Sequence, residues 1–276
     1  RAVAAEQLAR ERLAQTEQQR VEAQLQATIA RTVNDFLNDD LLAAGDPDLE
    51  RNRDVTVREV LDRAARTIGD RLADQPLVEA AIRRTLGDAY EGLGEYTSSA
   101  THMRRALDLL QTTLGERDPS TLVAMSRLGW LRSLQGQYTE AESLLTRAVE
   151  LRGQVHGASD SRTLSSQNHL AVLYGRQGRS AEQEARLLNV LALADYTSGS
   201  QNDNTVTALA NLADLYVRQD RDAEAEPLLL AALEAGRRTK GSEHPATLST
   251  MNSLVMLYMN QGRWAEARVW EILGLA

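Results

Sequence analysis

Apolar residues recur through most of this 276-residue chain at helical spacing. Leu212, Leu215 and Tyr216 stand at i, i+3 and i+4; Leu170, Leu173 and Tyr174 repeat the stripe, as do Leu254, Leu257 and Tyr258. Such a stripe predicts an amphipathic helix that faces another helix. The stripe itself is periodic. Leu86, Leu128, Leu170, Leu212 and Leu254 lie 42 residues apart, and the same interval separates Thr121, Thr163, Thr205 and Thr247, and Gly115, Gly157, Gly199 and Gly241. Three columns that keep one period without an insertion mark tandem structural units.

Each unit reads as helix, tight turn, helix. The first helix stops at Gly94, Gly136, Gly178 or Gly262, where a left-handed residue ends a helix without a Cβ clash; Asp220 takes that place in the fourth unit. In the second helix Ala106, Ala148 and Ala232, with Val190 as the exception, form a small column where a larger side chain would hold two helices apart. This helix is expected to run for about five turns and to end at the second glycine column. The threonine column is expected to supply the N-cap oxygen of the next first helix.

These residues resemble the tetratricopeptide repeat. Its L-G/A-x-x-Y core is matched by Leu86-Gly87 with Tyr90, Leu170-Ala171 with Tyr174, and Leu212-Ala213 with Tyr216, and its turn by Gly94-Glu95-Tyr96, Gly136-Gln137-Tyr138 and Gly262-Arg263-Trp264. The 42-residue spacing is similar to the longer-looped variety seen in kinesin light chains. The resemblance implies an all-α fold, a right-handed superhelix of tetratricopeptide-type helical hairpins preceded by a long N-terminal helix. Repeats are expected at 79–120, 121–162, 163–204, 205–246 and, in part, 247–276. Arg132 departs from the Tyr column, and Ser99 and Gln183 depart from the small residues Ala141, Ala225 and Ala267. The last stretch, Trp270 to Ala276, is apolar and is expected to be capped by the chain's own tail or truncated, with self-association less favoured.

Upstream of the array (77–276), residues 31–76 read as a capping hairpin. Leu61, Ala64, Ala65, Ile68 and Leu72 occupy second-helix columns within Val55–Leu72, and the partner helix is expected over Ile29–Ala44, with a loop broken at Gly45 and Pro47. Residues 1–30 contain neither Gly nor Pro and predict one long helix. It is either a solvated helix running into the hairpin or a signalling stalk; the stalk would pair two copies through residues 1–30.

The segments Val33–Pro47, Asp54–Arg63 and Thr85–Tyr90 look like the stretch between the transmembrane helix and the repeats of bacterial membrane-anchored Ser/Thr protein kinases. Very similar segments occur in membrane-anchored winged-helix transcriptional regulators. The resemblance implies a sensor or docking domain on the extracytoplasmic, periplasmic side of a bacterial inner membrane, attached through an N-terminal anchor that precedes Arg1.

Composition agrees with helices: 39 Ala and 42 Leu against one Phe, three Trp and seven Tyr leave too few β-branched and aromatic residues for a large sheet. Net charge −8 and a single Lys argue against a nucleic-acid surface. No run of 18 apolar residues exists, and no cysteine offers disulfide or thiolate chemistry. No H-R-D or D-F-G kinase motif and no G-x-S-x-G elbow is present. His102, His156, His169 and His244 lie in different units, without the i, i+4 partner of an H-E-x-x-H site, and are read as surface or capping residues. The chain is therefore expected to be non-catalytic, without cofactor or metal, and to bind a protein or peptide.

Register places the groove-facing side chains of the first helices two before, two after and five to six after the shared Leu. The candidates are Arg84 and Asp88; Trp130; Asn168 and Arg176; Asp214 and Arg218; Asn252 and Met256; Asn211 stands immediately before the shared Leu. Asparagine can bond a peptide backbone, arginine a carboxylate, and Trp130 and Met256 apolar side chains. Trp130 either contacts the ligand or fills the gap left by Arg132. Asn211 either meets the ligand or bonds backbone between helices.

Overall fold

The computed structural model describes residues 56–198 and 203–268, together with scattered helical positions between Arg12 and Asn34. The described residues are helical apart from turns, and no strand occurs among them. Helices α1 (Val57–Arg71), α2 (Pro76–Gly92), α3 (Tyr96–Leu114) and α4 (Pro119–Leu134) are followed by α5 (Tyr138–His156), α6 (Ser161–Arg176) and α7 (Ser180–Ser198). Then come α8 (Asp203–Arg218), α9 (Asp222–Lys240) and α10 (Pro245–Asn260), after which residues 264–268 are again helical. Contacts divide the chain into two compact units, Arg1–Ala124 and Met125–Ala276.

In the first unit α1 starts at a capping box. The Thr56 hydroxyl accepts from Glu59 N–H while the Glu59 carboxylate accepts from Thr56 N–H, which satisfies two donors that a helix start leaves open. Pro76 opens α2, where a missing N–H costs nothing. Leu61, Ala64 and Ile68 of α1 bury themselves against Val78, Ile82, Leu86 and Tyr90 of α2, with Ile29 packed on the edge of the cluster. That contact touches the expected helix over Ile29–Ala44 at its first residue; the rest of it from Asp35, and the loop after it, lie outside the described residues. So do most of residues 1–30 and all of 269–276.

In the second unit the hairpins α6–α7 and α8–α9 repeat one geometry, and one cluster joins Leu212, Leu215 and Tyr216 to Leu187, Leu229 and Leu254. The small columns set how near the helices come. A Cβ on Gly129 would lie 2.8 Å from Leu145 Cγ, inside any real contact. Gln183, which replaces a small residue, is accommodated in the same way: a Cβ on Gly175 would meet its Oε1 at 2.6 Å. Each second helix is 19 residues long, and Gly157 and Gly241 cap two of them, as the spacing predicts.

The threonine column does not cap. Helices α4, α6 and α10 begin earlier than the threonines: Asp118 accepts from Ser120 N–H, Asp160 from Arg162 N–H, and His244 Nδ1 from Ala246 N–H. The threonines are buried one turn inside the helix, and Thr163 Oγ1 donates to the Gly157 carbonyl at 2.9 Å. A column of buried threonine side chains has the same spacing as a column of caps.

The turn between paired helices carries the links between successive repeats. Gly136, Gly178 and Gly262 adopt φ near +75°, and Asp220 at φ +58° is the only non-glycine residue described in that region. The next N–H then reaches back to the carbonyl of the Tyr column, as Arg179 does to Tyr174 at 2.9 Å. This closure sets the guanidinium over the ring, 4.2 Å for Arg179 on Tyr174, 3.8 Å for Arg221 on Tyr216 and 4.3 Å for Arg263 on Tyr258. Each arginine also pairs with a glutamate of the repeat before it: Glu142 at 2.8 Å, Glu184 at 3.1 Å and Glu226 at 2.7 Å. Tyr216 and Tyr258 donate their hydroxyls to Glu184 and Glu226. The Arg179 and Arg263 bonds hold Glu142 and Glu226 below the usual carboxylate range.

Within the first unit the same positions carry the opposite polarity, Arg58 pairing with Glu95 at 2.6 Å, and Tyr90 donates to Asp62. In the second unit Arg132, which replaces the tyrosine, turns to Glu140 at 2.9 Å.

Gly129→Ala is expected to lower the unfolding free energy by about 1–3 kcal/mol in urea titrations, because Leu145 has to move. Gly153→Ala, a helical glycine with nothing within 4 Å of an added Cβ, is expected to raise it by about 0.5–1 kcal/mol.

Candidate functional site

The first helices of the second unit form a row: α4 meets α6 through Ser126 and Ser166, α6 meets α8, and α8 meets α10. Eight of the ten candidate side chains stand on this row. Arg84 and Asp88 belong to the first unit, where Asp88 is exposed and Arg84 lines a cavity of about 80 Å³ beside Ile29, Leu77 and Leu110.

The strongest convergence is at Trp130. Its ring stacks on His169, with centroids 5.3 Å apart and planes 26° from parallel, and the Arg176 guanidinium lies 5.6 Å from the ring centre. His169 and Arg176 are seven residues, two turns, apart on α6, so one face of that helix presents both to the indole. Trp130 therefore spans the α4–α6 seam, while the Arg132 side chain satisfies itself with Glu140. Arg176 is exposed, and among the described residues it has no ion-pair partner. A guanidinium held on an indole keeps its N–H edges open to an anion.

Beneath this surface runs a polar chain that sequence reading missed. Ser126 Oγ lies 3.2 Å from Ser166 Oγ and 3.5 Å from His169 Nδ1; buried Arg152 donates to Ser166 Oγ at 2.8 Å and to the Arg162 carbonyl at 2.6 Å. Burial, reinforced by the Arg127 and Arg152 charges, pushes the His169 imidazole down to about 4, so it is neutral at pH 7. His102 of the first unit is also neither surface nor cap. It is 8% exposed, stacks on Tyr90 at 5.4 Å, and burial next to Arg83 holds it at about 4. Only His244 takes the capping role expected of the histidines. The period could not reveal His102 and His169, since their columns hold a different residue in most repeats.

The remaining candidates separate. Asn168 is not offered to a ligand: it is 3% exposed and its amide donates to the Asn204 carbonyl at 3.0 Å, while Asn204 donates to Ser161. Asparagine there bonds helix to helix, because α6 and α8 are adjacent and the side chain reaches the next backbone first. Arg218 is partly engaged by Asp214 at 3.3 Å on its own helix and by Gln183. Asn211 is half-buried and has no hydrogen-bond partner among the described residues. Asn252 and Met256 are exposed on α10, Met256 at 57%. No group of three or more His, Cys, Asp or Glu side chains that could hold a metal ion occurs among the described residues, and no described helix is long and apolar enough to cross a membrane.

The family model of the tetratricopeptide repeat matches residues 78–154, 162–230 and 204–271. A comparison with curated proteins finds no match. Among solved structures, the chain is similar to a putative kinesin light chain with nearly identical TPR-like repeats from Podosopora anserina, with 24% identity over 74% of this chain and 92% of that one and a TM-score of 0.57. BtubC (BKLC) from P. vanneervenii is 18% identical over 80% of this chain and 90% of its own, with a TM-score of 0.64. A Rap protein complexed with competence and sporulation factor is 14% identical over 90% of this chain and 76% of its own, also at 0.64. At these identities the likeness concerns the fold.

The two desolvated imidazoles make stability depend on pH. The unfolded chain protonates them below pH 6.5 and the folded chain only near 4, so folding free energy is unaffected above 6.5 and is lost as pH falls through that interval. Urea unfolding at pH 5 is expected to show a loss of roughly 1–2 kcal/mol per imidazole relative to pH 7.5, and His102→Phe or His169→Phe to flatten the dependence.

Proposed function

Because the chain belongs to the tetratricopeptide-repeat family, whose hairpins are a non-catalytic scaffold for binding proteins and peptides, we propose that the first-helix row of Met125–Ala276 is a docking surface centred on Trp130 and Arg176. The ligand this chemistry suits is an extended peptide or loop with an acidic group beside an apolar one. The carboxylate meets Arg176, the apolar group lies along Trp130, and Asn211 supplies an amide to the peptide backbone. The exposed guanidinium on the indole carries this reading. Neighbouring arginines on the same row either pair within the repeat stack or, like Arg218, are partly engaged on their own helix.

On the finer question of context, the segments Val33–Pro47 and Asp54–Arg63 support a sensor or docking domain of a bacterial membrane-anchored Ser/Thr protein kinase, placed on the periplasmic side of the inner membrane. Occupancy of the docking surface would pass through the helix of residues 1–30 toward that anchor, with two copies pairing along it. A kinase domain followed by an apolar span in the coding sequence upstream of Arg1 is the expected finding; a winged-helix domain there would assign the chain to the transcriptional regulators instead.

Peptides selected from a displayed random library on the intact chain are expected to be enriched in Asp or Glu. Arg176→Glu should weaken them at least tenfold and Trp130→Ala by a similar factor, with circular dichroism and the unfolding midpoint of Arg176→Glu unchanged. Selected peptides whose affinity ignores both substitutions would refute the assignment.

A further inference from the structure

The last described hairpin repeats the docking geometry that joins one unit to the next, with one charge reversed. Between α8–α9 and α10 the joint is complete. Ala213, Val217 and Ala225 pack in one cluster with Leu254, Leu257 and Tyr258, and Glu226 accepts from Tyr258 at 3.0 Å and from Arg263 at 2.7 Å. Advancing these positions by 42 residues gives Val255, Met259, Ala267 and Arg268, and Asp222 of α9 becomes Trp264. The five residues Val255, Met259, Trp264, Ala267 and Arg268 line an open cavity of about 380 Å³. Trp264 is 63% exposed and Met259 39%, and among the described residues Arg268 has no ion-pair partner.

Charge specifies what fits. Glutamate at this column takes an arginine in the first position after the partner's turn, as Arg179, Arg221 and Arg263 show. Arginine at the column takes a glutamate there, as Arg58 does with Glu95 at 2.6 Å. We infer that the face formed by Val255, Met259, Trp264 and Arg268 docks an amphipathic helix from another protein, one that ends in a tight turn followed by an acidic residue. The helix seats apolar side chains on Met259 and Trp264, and the acid pairs with Arg268. A helix with arginine in that position, the commonest choice in this chain's own turns, is repelled. The same rule that orders the units thus sets the partner's sign.

The test uses a fluorescent peptide of residues 76–98 of this sequence, which is α2 with its turn and Glu95, its helicity held by a side-chain lactam and checked by circular dichroism. It is titrated into the intact chain and read by anisotropy. Saturable binding is expected, weakened at least tenfold by Arg268→Glu in the chain or by Glu95→Arg in the peptide, and restored when the two reversals are combined. Four results would overturn the inference: no binding at millimolar peptide; binding indifferent to Arg268→Glu; binding only after residues 269–276 are removed, which makes the chain's own tail the occupant; or dimerisation abolished by Arg268→Glu in sedimentation, which makes it a second copy.

Discussion

A single helical hairpin cannot bury the apolar faces of both its helices, and the closeness with which two helices meet decides how much of each face is covered by the next. Here that closeness depends on the residue after the shared Leu. Gly129 lets Leu145 lie against bare backbone, and Gly87 does the same for Met103. The buried Ala171 and Ala213 occupy the same column in the later repeats. With the helices this near, the tight turn closes onto the Tyr column, and the side chain after the turn is set on the ring. The arginine in that position then reaches the carboxylate of the unit before. Packing, turn conformation and ion pair recur together at Ala171 and Ala213 and their turns.

Partly exposed ion pairs contribute little stability by themselves. Their value here lies in register. Each guanidinium of the later repeats is already fixed by the ring beneath it and by the turn, so little freedom is lost on pairing, and a slip of two repeats would bring Arg58 toward Arg179 or Glu95 toward Glu142. The polarity change between the first unit and the second makes the order of repeats chemically distinguishable even though their cores are alike.

What was legible in the amino-acid pattern follows from the same logic. Columns repeated at 42 residues, such as Leu128, Gly136 and Ala148, report requirements that every unit shares, and the helices, turns and close contacts they predict are those observed. The threonine column misled because periodicity reveals that a position is constrained without revealing how: Thr163 is a buried tie to Gly157, one turn beyond the true cap at Asp160. The links between Glu142 and Arg179 or Glu184 and Arg221 were present as a constant 37-residue offset, visible only to someone pairing columns with one another. Site chemistry was least legible. Register brings Trp130 and Arg176 to one row of helices, but the stacking of His169 on the indole and the role of Asn168 as a helix-to-helix link depend on which neighbour lies nearest.

The features suited to binding therefore stand at positions that vary from repeat to repeat, side chains at the α4–α6 seam that the stack does not require. Amide hydrogen exchange on the intact chain, with and without a bound acidic peptide, tests this most directly. The account predicts added protection confined to α4, α6 and α8, with the second helices α5 and α7 unchanged. Protection confined to α5 and α7, with the first helices unaffected, would contradict it.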